Sequence, residues 1–180
     1  MGRTSLGLSR SDIAVARFTE LFHRPKSIAL SLEFLMSNQY TREIAAALLI
    51  DVSGNLLLQR RDNVPHIIQP GKVGLFGGHR EGDETFLECV VREIAEEITQ
   101  HIPAERFQHL FSLDGADPER PGGHLRGEFF ISYGVQTDTL VVTEGKPLKV
   151  PPDAIWDMRS ELTPATLLAL NAFLQITAAG

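Results

Sequence analysis

The chain has 180 residues, of which 43% are apolar, 7% aromatic and 22% charged. These values are typical of one compact globular domain with a short extension, and they argue against a collagen-like or broadly disordered chain. The formal net charge of −6 argues against a broad surface for nucleic acid or anionic lipid. The one cysteine, Cys89, excludes an internal disulfide and cysteine-rich zinc sites.

The hydrophobic runs of the sequence are short. The longest wholly apolar run, residues 44–50, is well below the roughly 18 residues that suggest a membrane span. The first residues lack the apolar stretch of about 7–15 residues that a secretory signal needs. We therefore expect a cytoplasmic protein that does not contact the membrane.

Residues 1–40 are expected to form a helical extension to a main domain over residues 41–180. Ser11 or Asp12 can cap a first helix, which ends before Pro25, and a second helix is expected over residues 27–36. The sequence leaves open whether this extension packs on the main domain or on a second copy of the chain in a homodimer.

The next segment predicts a β-hairpin followed by a loop. Residues 44–50 and 55–61 have the pattern of two strands, which a turn at Ser53 and Gly54 joins. Residues 62–72 carry two prolines and a glycine, and they are expected to form a surface loop before a short apolar piece at residues 73–76. Gly77 and Gly78 then turn the chain.

A helix is expected after this turn, beginning at Asp83 or Thr85. Thr85 and Glu88 have the spacing of a capping box. Pro103 limits the helix to about His101, because the residue before a proline disfavours helical backbone.

The second half of the chain predicts three strands and a final helix. The strands are expected at residues 107–113, 128–135 and 139–145, with a loop at residues 114–127 between the first two. Thr163 and Pro164 have the pattern of a helix start, and the helix is expected to continue to about Ile176. The order of elements predicts the α/β class, with helices layered on a mixed sheet.

The first of these helices has an acidic face. On a helical wheel, one stripe is apolar and is expected to face the core: Leu87, Val91, Ile94 and Ile98. Glu93, Glu96 and Glu97 fall on an adjacent arc, and the like-charge pair of Glu93 and Glu97 costs roughly 0.2–0.5 kcal/mol. A hard divalent cation would reverse this repulsion. The alternative is that these acids form a solvated helix face.

Residues 78–98 resemble the Nudix box: glycine, five residues, glutamate, seven residues, then arginine, glutamate, an aliphatic residue, any residue and two glutamates. The matching positions are Gly78, Glu84, Arg92, Glu93, Ile94, Glu96 and Glu97. The resemblance extends over about residues 44–176. The chain departs from the family pattern at Thr99 and Gln100, where the family has glycine and an aliphatic residue. Because a β-branched residue accepts a left-handed conformation poorly, we expect the helix to run on toward Pro103.

The resemblance implies an α/β/α sandwich with a mixed sheet and hydrolysis of a nucleoside diphosphate linked to another group. It also implies Mg²⁺ or Mn²⁺ as cofactor. The ligands would be Glu93 and Glu97, Glu96 directly or through water, and the carbonyl of Gly77. Arg92 would orient a carboxylate of this set, and Glu84 is a supporting position.

The resemblance leaves the general base open, since family members take it from the box or from a glutamate elsewhere. Outside the box, Glu128 and Glu144 are candidates. A non-catalytic module that senses a nucleotide is the alternative to an enzyme.

The substrate contacts rest on weaker signals. Arg60 and Arg61 could bind substrate phosphate, and one of them should point inward because neighbours on a strand face opposite sides. Gly78 is expected beside the substrate. The loop residues His66, Ile67 and Ile68 could line a pocket, although simple packing is the commoner role.

Overall fold

The computed structural model describes residues 41–179. The two helices expected before residue 40 lie outside this range. Along the described chain the order is β1 (Thr41–Asp51), β2 (Leu56–Arg60), β3 (Val73–Gly74), β4 (Phe76–His79), α1 (Phe86–Ile98), β5 (Gln108–Ala116), β6 (His124–Val135), β7 (Lys146–Val150) and α2 (Pro164–Ala179). Two 3₁₀ helices cover Ala104–Arg106 and Ile155–Glu161.

The seven strands form one mixed sheet. Strand β1 is central: β6 runs parallel to it on one side, and β2 and β4 run antiparallel on the other. Strand β5 pairs with β6, while β3 and β7 pair with β2. The predicted hairpin of β1 and β2 is therefore confirmed.

The two helices cover opposite faces of this sheet, because side chains alternate along a strand. One face of β1 packs with α1, through residues such as Ala45, Ala47 and Ile94. The other face packs with α2, through residues such as Ala46, Leu48 and Ala169. With both faces of β1 covered, its apolar run is almost continuously buried. The predicted α/β/α sandwich is confirmed.

Strands β1 and β2 diverge toward the end that carries the site. They pair with each other only near the hairpin, at Leu49 with Leu57 and at Ile50 with Leu56. Beyond this point β1 pairs with β4, and β2 pairs with β3. The sheet thus opens between two strand pairs, with the acidic face of α1 beside the opening.

Helix α1 begins as predicted and ends earlier than predicted. Thr85 and Glu88 form the capping box, in which the Thr85 hydroxyl accepts from the Glu88 N–H at 3.2 Å. The helix stops at Ile98, and Thr99 takes the left-handed conformation with φ 49°. The expected continuation toward Pro103 is wrong, because hydrogen bonds to a neighbouring loop compensate for the missing glycine.

The buried stripe of α1 is rotated relative to the predicted one. Cys89, Val90, Ile94 and Ile98 are fully buried, whereas Leu87 and Val91 are only partly buried. The rotation brings Glu97 onto the buried side. The helical wheel predicted that Glu97 lies next to the apolar stripe, whereas in the structure the Glu97 carboxylate is buried against the sheet.

Two boundaries in the second half differ from the prediction. The expected strand at residues 139–145 is a loop, and the last strand is β7 instead. The Thr143 N–H of that loop donates to the Glu97 carbonyl at the end of α1, and within the described chain no residue of the loop pairs with a strand. Strands β5 and β6 are longer than predicted, so their connecting loop is only residues 117–123. The final helix confirms Thr163 as its cap, since the Thr163 hydroxyl accepts from the Thr166 N–H at 3.2 Å.

Candidate active site

A cavity of about 330 Å³ opens where β1 and β2 diverge. Its lining includes carboxylates from α1 and from the loop before β7, namely Glu93, Glu97 and Glu144. It also includes Arg42 and Arg61, which carry guanidinium groups. The cavity can therefore hold a group that needs both negative ligands for a cation and positive contacts for an anion.

Glu97 is the most buried carboxylate of this set, with 6% of its surface exposed. Its Oε2 accepts the Gly77 N–H at 2.7 Å, and its Oε1 accepts the Gln59 side-chain amide at 3.2 Å. Burial, together with the nearby carboxylates of Glu144 and Glu93, raises the pKa of Glu97 to about 7, although these two hydrogen bonds act to lower it. A metal-free protein thus holds Glu97 in an environment that disfavours its charge.

Two glycines allow strand β4 to approach its neighbours. A Cβ on Gly77, whose φ is +130°, would lie 2.3 Å from the Ala45 carbonyl oxygen. A Cβ on Gly78 would lie 2.4 Å from the Glu93 carboxyl carbon. Glycine is required at Gly77, where the crowding atoms are backbone, and at Gly78 it leaves the space that the Glu93 carboxylate occupies.

Arg92 organises the acidic residues around the start and middle of α1. Its Nη2 donates to Glu84 Oε1 at 2.7 Å and its Nε to Glu84 Oε2 at 3.1 Å. Its Nη1 donates to Glu93 Oε1 at 3.0 Å and reaches Glu96 Oε2 at 3.4 Å. The hydrogen bonds from Arg92 hold the pKa of Glu84 at about 2. Glu84 is therefore the main partner of Arg92, and Arg92 in turn orients Glu93.

The α1 carboxylates differ in burial. Burial raises the pKa of Glu93, with Arg92 acting in the opposite direction. Glu96 is the most exposed of the three, and it does not line the cavity. Across residues 41–179, no three histidine, cysteine, aspartate or glutamate side chains form a group that could hold a metal ion as arranged. Hydrogen bonds from Arg92, Gly77 and Gln59 occupy oxygens of the Glu93 and Glu97 carboxylates.

The two arginines at the end of β2 point in different directions. Arg61 lines the cavity, and its Nε is buried without a hydrogen-bond partner. Arg60 points away from it, and its Nη2 donates to Glu161 Oε2 at 2.6 Å. The prediction of one inward arginine is met by Arg61, and Arg60 has no place in the cavity lining.

The two candidate bases outside the box lie in different places. Glu144 lines the cavity. Glu128 does not, because it stands on β6 across from β5, where its Oε2 contacts His109 Nε2 at 2.7 Å and accepts from Ser112 Oγ at 2.6 Å. The structure therefore does not bring Glu128 to the other site residues.

A smaller cavity of about 160 Å³ adjoins the first and shares Gln59, Arg61 and Glu144 with it. His66 and Ile67 line this second cavity, and Ile68 lines the first. The loop between β2 and β3 thus borders both spaces.

Sequence reasoning missed several residues of the cavity, including Arg42, Gln59 and His79. Arg42 is buried and pairs with Asp117 through two hydrogen bonds of 2.7 and 2.9 Å, which tie the loop at residues 117–123 to β1. Burial lowers the pKa of His79, as do the charges of Arg42, Arg120 and Arg61. No local motif marks these residues, because the pairing of distant strands brings them together.

The described residues contain no helix that is long and apolar enough to span a membrane. No curated protein matches the sequence of this chain.

Solved structures share the fold. A MutT protein from Methanosarcina mazei Go1 is 21% identical, with 78% of this chain and 97% of that chain covered and a TM-score of 0.64. The NUDIX domain of Shewanella oneidensis NrtR, complexed with ADP ribose, is 15% identical, with 94% and 99% covered and a TM-score of 0.62. A bifunctional NMN adenylyltransferase/ADP ribose pyrophosphatase from Francisella tularensis, complexed with AMP and a Mn ion, is 14% identical, with 89% and 51% covered and a TM-score of 0.57.

The family model for the NUDIX domain matches residues 40–172, which include every strand of the sheet and every residue that lines the cavity. The chain therefore belongs to the Nudix hydrolase family.

Proposed function

We propose that the protein is a hydrolase that uses Mg²⁺ or Mn²⁺ to cleave the pyrophosphate linkage of a nucleoside diphosphate joined to another group. The substrate is a small molecule, such as a nucleoside triphosphate, a nucleotide sugar or a dinucleotide. The observation that carries this proposal is that one cavity is lined by Glu93, Glu97 and Glu144 and also by Arg61. The phosphates of such a substrate are negative and suit Arg61, and the cation bound to them is positive and suits the carboxylates.

The cation would be held by Glu93 and Glu97, by the Gly77 carbonyl, and by Glu96 directly or through water. Carboxylate and carbonyl oxygens are the ligands that these hard cations prefer. The donor set fits a cation because burial and mutual repulsion disfavour charge on Glu93 and Glu97 in its absence. When bound, the ion supplies charge neutralisation for phosphate oxygens and a lowered pKa for bound water. Arg92 fixes the direction of the Glu93 carboxylate and takes support from Glu84.

Arg61 binds the phosphate in this proposal. Its Nε is buried and has no partner within the described chain, so an oxygen of the substrate would satisfy a donor that otherwise costs free energy. A guanidinium also matches two oxygens of one phosphate group. Gly78 borders the same cavity and leaves room beside Glu93.

Glu144 is our candidate for the general base, in place of Glu128. It lines the same cavity as Glu93 and Glu97, where a carboxylate oxygen can accept the proton of the attacking water. The water oxygen then forms the new bond to phosphorus as the bond to the leaving phosphate oxygen breaks. Positioning and charge stabilisation supply most of the catalysis in such displacements.

The related structures support this proposal. Members of the family generally use divalent metals, and the Francisella tularensis protein carries AMP and a Mn ion. The Shewanella oneidensis domain carries ADP ribose, which is a nucleoside diphosphate joined to another group.

The test is a panel of nucleoside triphosphates, nucleotide sugars and dinucleotides, incubated with Mg²⁺ or Mn²⁺ and followed by phosphorus NMR. We expect at least one compound to give two phosphorylated products, with loss of turnover in Glu97→Gln. The matched control is Glu105→Gln, which changes an exposed acid of the 3₁₀ helix and should keep full turnover.

Two results would contradict the proposal. Equal turnover in Glu97→Gln and the native chain would remove Glu97 from the site. Binding of a nucleotide without turnover of any compound would favour the sensor instead of the enzyme.

A further inference from the structure

The loop before β7, residues 136–145, lies against the end of α1. The Thr143 N–H donates to the Glu97 carbonyl at 2.8 Å, and the Thr143 hydroxyl bonds to the Glu96 carbonyl at 2.8 Å. The last carbonyls of a helix have no partner within the helix, and glycine-based caps commonly satisfy them. Here a loop that carries Glu144 satisfies them.

Thr99 makes a second link between the helix and this loop. Its hydroxyl donates to the Val141 carbonyl at 3.1 Å, while its backbone takes the left-handed conformation that ends the helix. Thr99 stands where the family pattern has glycine. The hydroxyl therefore gives this chain a contact that a glycine could not make.

Gln59 holds the same loop from the side of the sheet. Its buried side-chain amide donates to the Glu144 carbonyl at 2.9 Å and to Glu97 Oε1 at 3.2 Å. The next residue, Gly145, has φ +63°, and a Cβ there would lie 2.4 Å from the Arg60 carbonyl oxygen. The backbone around the Glu144 side chain is thus held at Thr143 by α1 and at the Glu144 carbonyl by Gln59 of β2.

We propose that Thr143 is a positioning residue, which together with Gln59 holds the Glu144 carboxylate in the cavity that Glu93 and Glu97 also line. This inference rests on the proposed function, in which Glu144 is the general base. Small displacements of reacting groups can reduce a rate by as much as about a hundredfold, so the position of a base on a loop needs such restraint.

The alternative is that Thr143 only caps the helix and contributes to stability. A capping role predicts a lower unfolding temperature in Thr143→Val with little change in kcat. A positioning role predicts a lower kcat, because the loop is released while the substrate contacts of Arg61 stay in place.

The experiment compares three variants of the full chain. Thr143→Val keeps the side-chain shape and removes the hydroxyl, and Thr143→Ser restores the hydroxyl. The matched control is Thr137→Val in the same loop, where the hydroxyl accepts from Lys149 Nζ at 2.9 Å and, within residues 41–179, makes no hydrogen bond to α1. We expect kcat to fall about tenfold or more in Thr143→Val with KM within twofold, and to stay within twofold of the native value in Thr143→Ser and Thr137→Val.

A double variant tests whether the effect passes through Glu144. In the Glu144→Gln background, the further change Thr143→Val should leave kcat unaltered, because the base is already absent. An equal fold-loss in both backgrounds, or a lower unfolding temperature with native kcat, would overturn the positioning role.

Amide hydrogen exchange of the metal-free protein gives a readout that does not depend on activity. Residues 140–145 should exchange faster in Thr143→Val than in the native chain, and Thr137→Val should leave their exchange unchanged. If the native chain hydrolyses no compound, the proposed function fails, while this exchange still tests the contact. Unchanged exchange in Thr143→Val would overturn the inference itself.

Discussion

Replacing Glu97 with glutamine should stabilise the metal-free protein at pH 8, which is the opposite of what most substitutions do. The carboxylate is buried beside two others, and burial raises its pKa from 4.5 to about 7. A raised folded-state pKa means that folding favours the protonated form. The stability that this proton provides is fully present below about pH 4.5 and is lost as the pH rises through 7.

The size of the effect follows from the two pKa values. Their difference of about 2.5 corresponds to about 3 kcal/mol at 1.36 kcal/mol per pH unit. Glutamine removes this penalty, but its single oxygen cannot accept from both Gly77 and Gln59, and one lost hydrogen bond costs about 1–2 kcal/mol. The net gain of about 1–2 kcal/mol corresponds to roughly 2–8 °C for a chain of this length.

The assay is thermal unfolding of the metal-free native chain and Glu97→Gln at pH 5 and pH 8. Glu97→Gln should unfold at a higher temperature at pH 8, and the advantage should vanish at pH 5, where native Glu97 is protonated. Glu105→Gln should follow the native chain at both values. An equal difference in unfolding temperature between Glu97→Gln and the native chain at the two pH values would refute the raised pKa of Glu97.

Four further predictions concern the cavity and its walls. Gly78→Ala should keep the fold and weaken Mn²⁺ binding at least tenfold in calorimetry, because the new methyl would lie 2.4 Å from the Glu93 carboxyl carbon; native affinity would contradict this. Arg61→Gln should raise KM at least tenfold in steady-state kinetics while Arg60→Gln stays within twofold, and equal effects would remove the distinction between them. Chelation of divalent ions should abolish turnover, and added Mg²⁺ or Mn²⁺ should restore it; turnover that persists in the chelator would rule out a metal requirement. Arg42→Met should lower the free energy of unfolding by about 3–5 kcal/mol in urea titration, because it leaves a buried carboxylate unpaired, and a loss below 1 kcal/mol would show that the pair does not matter.

Local patterns predicted the elements whose determinants are local. The capping box at Thr85 and Glu88 marks the start of α1, and the turn at Gly54 marks the first hairpin. The apolar run at residues 44–50 marks β1. Each of these features is decided by residues a few positions apart.

Features that depend on distant contacts could not be predicted in this way. Residues 139–145 have the composition of a strand, yet their hydrogen bonds go to the end of α1. Thr99 takes an unfavourable backbone conformation because its hydroxyl reaches Val141, 42 positions away. The spacing of α1 predicted an acidic face, but the rotation that buries Glu97 depends on how the helix packs on β1.

Local sequence also could not predict which of Arg60 and Arg61 lines the cavity. Alternation predicts that only one of them faces the cavity, and it does not say which one. The register of β2 with β3 decides this, because Arg60 pairs with Val73 and Arg61 follows the end of the strand.

The most direct test of the account is a calorimetric titration of the protein with Mn²⁺, alone and with a nucleoside diphosphate present, at pH 6 and pH 8. We predict saturable uptake by the native chain that strengthens at pH 8, since the ion competes with the proton on Glu97, and that falls at least tenfold in Glu97→Gln. The absence of uptake by the native chain under every one of these conditions, or native uptake by Glu97→Gln, would contradict the claim that the buried acidic face of α1 binds a catalytic cation.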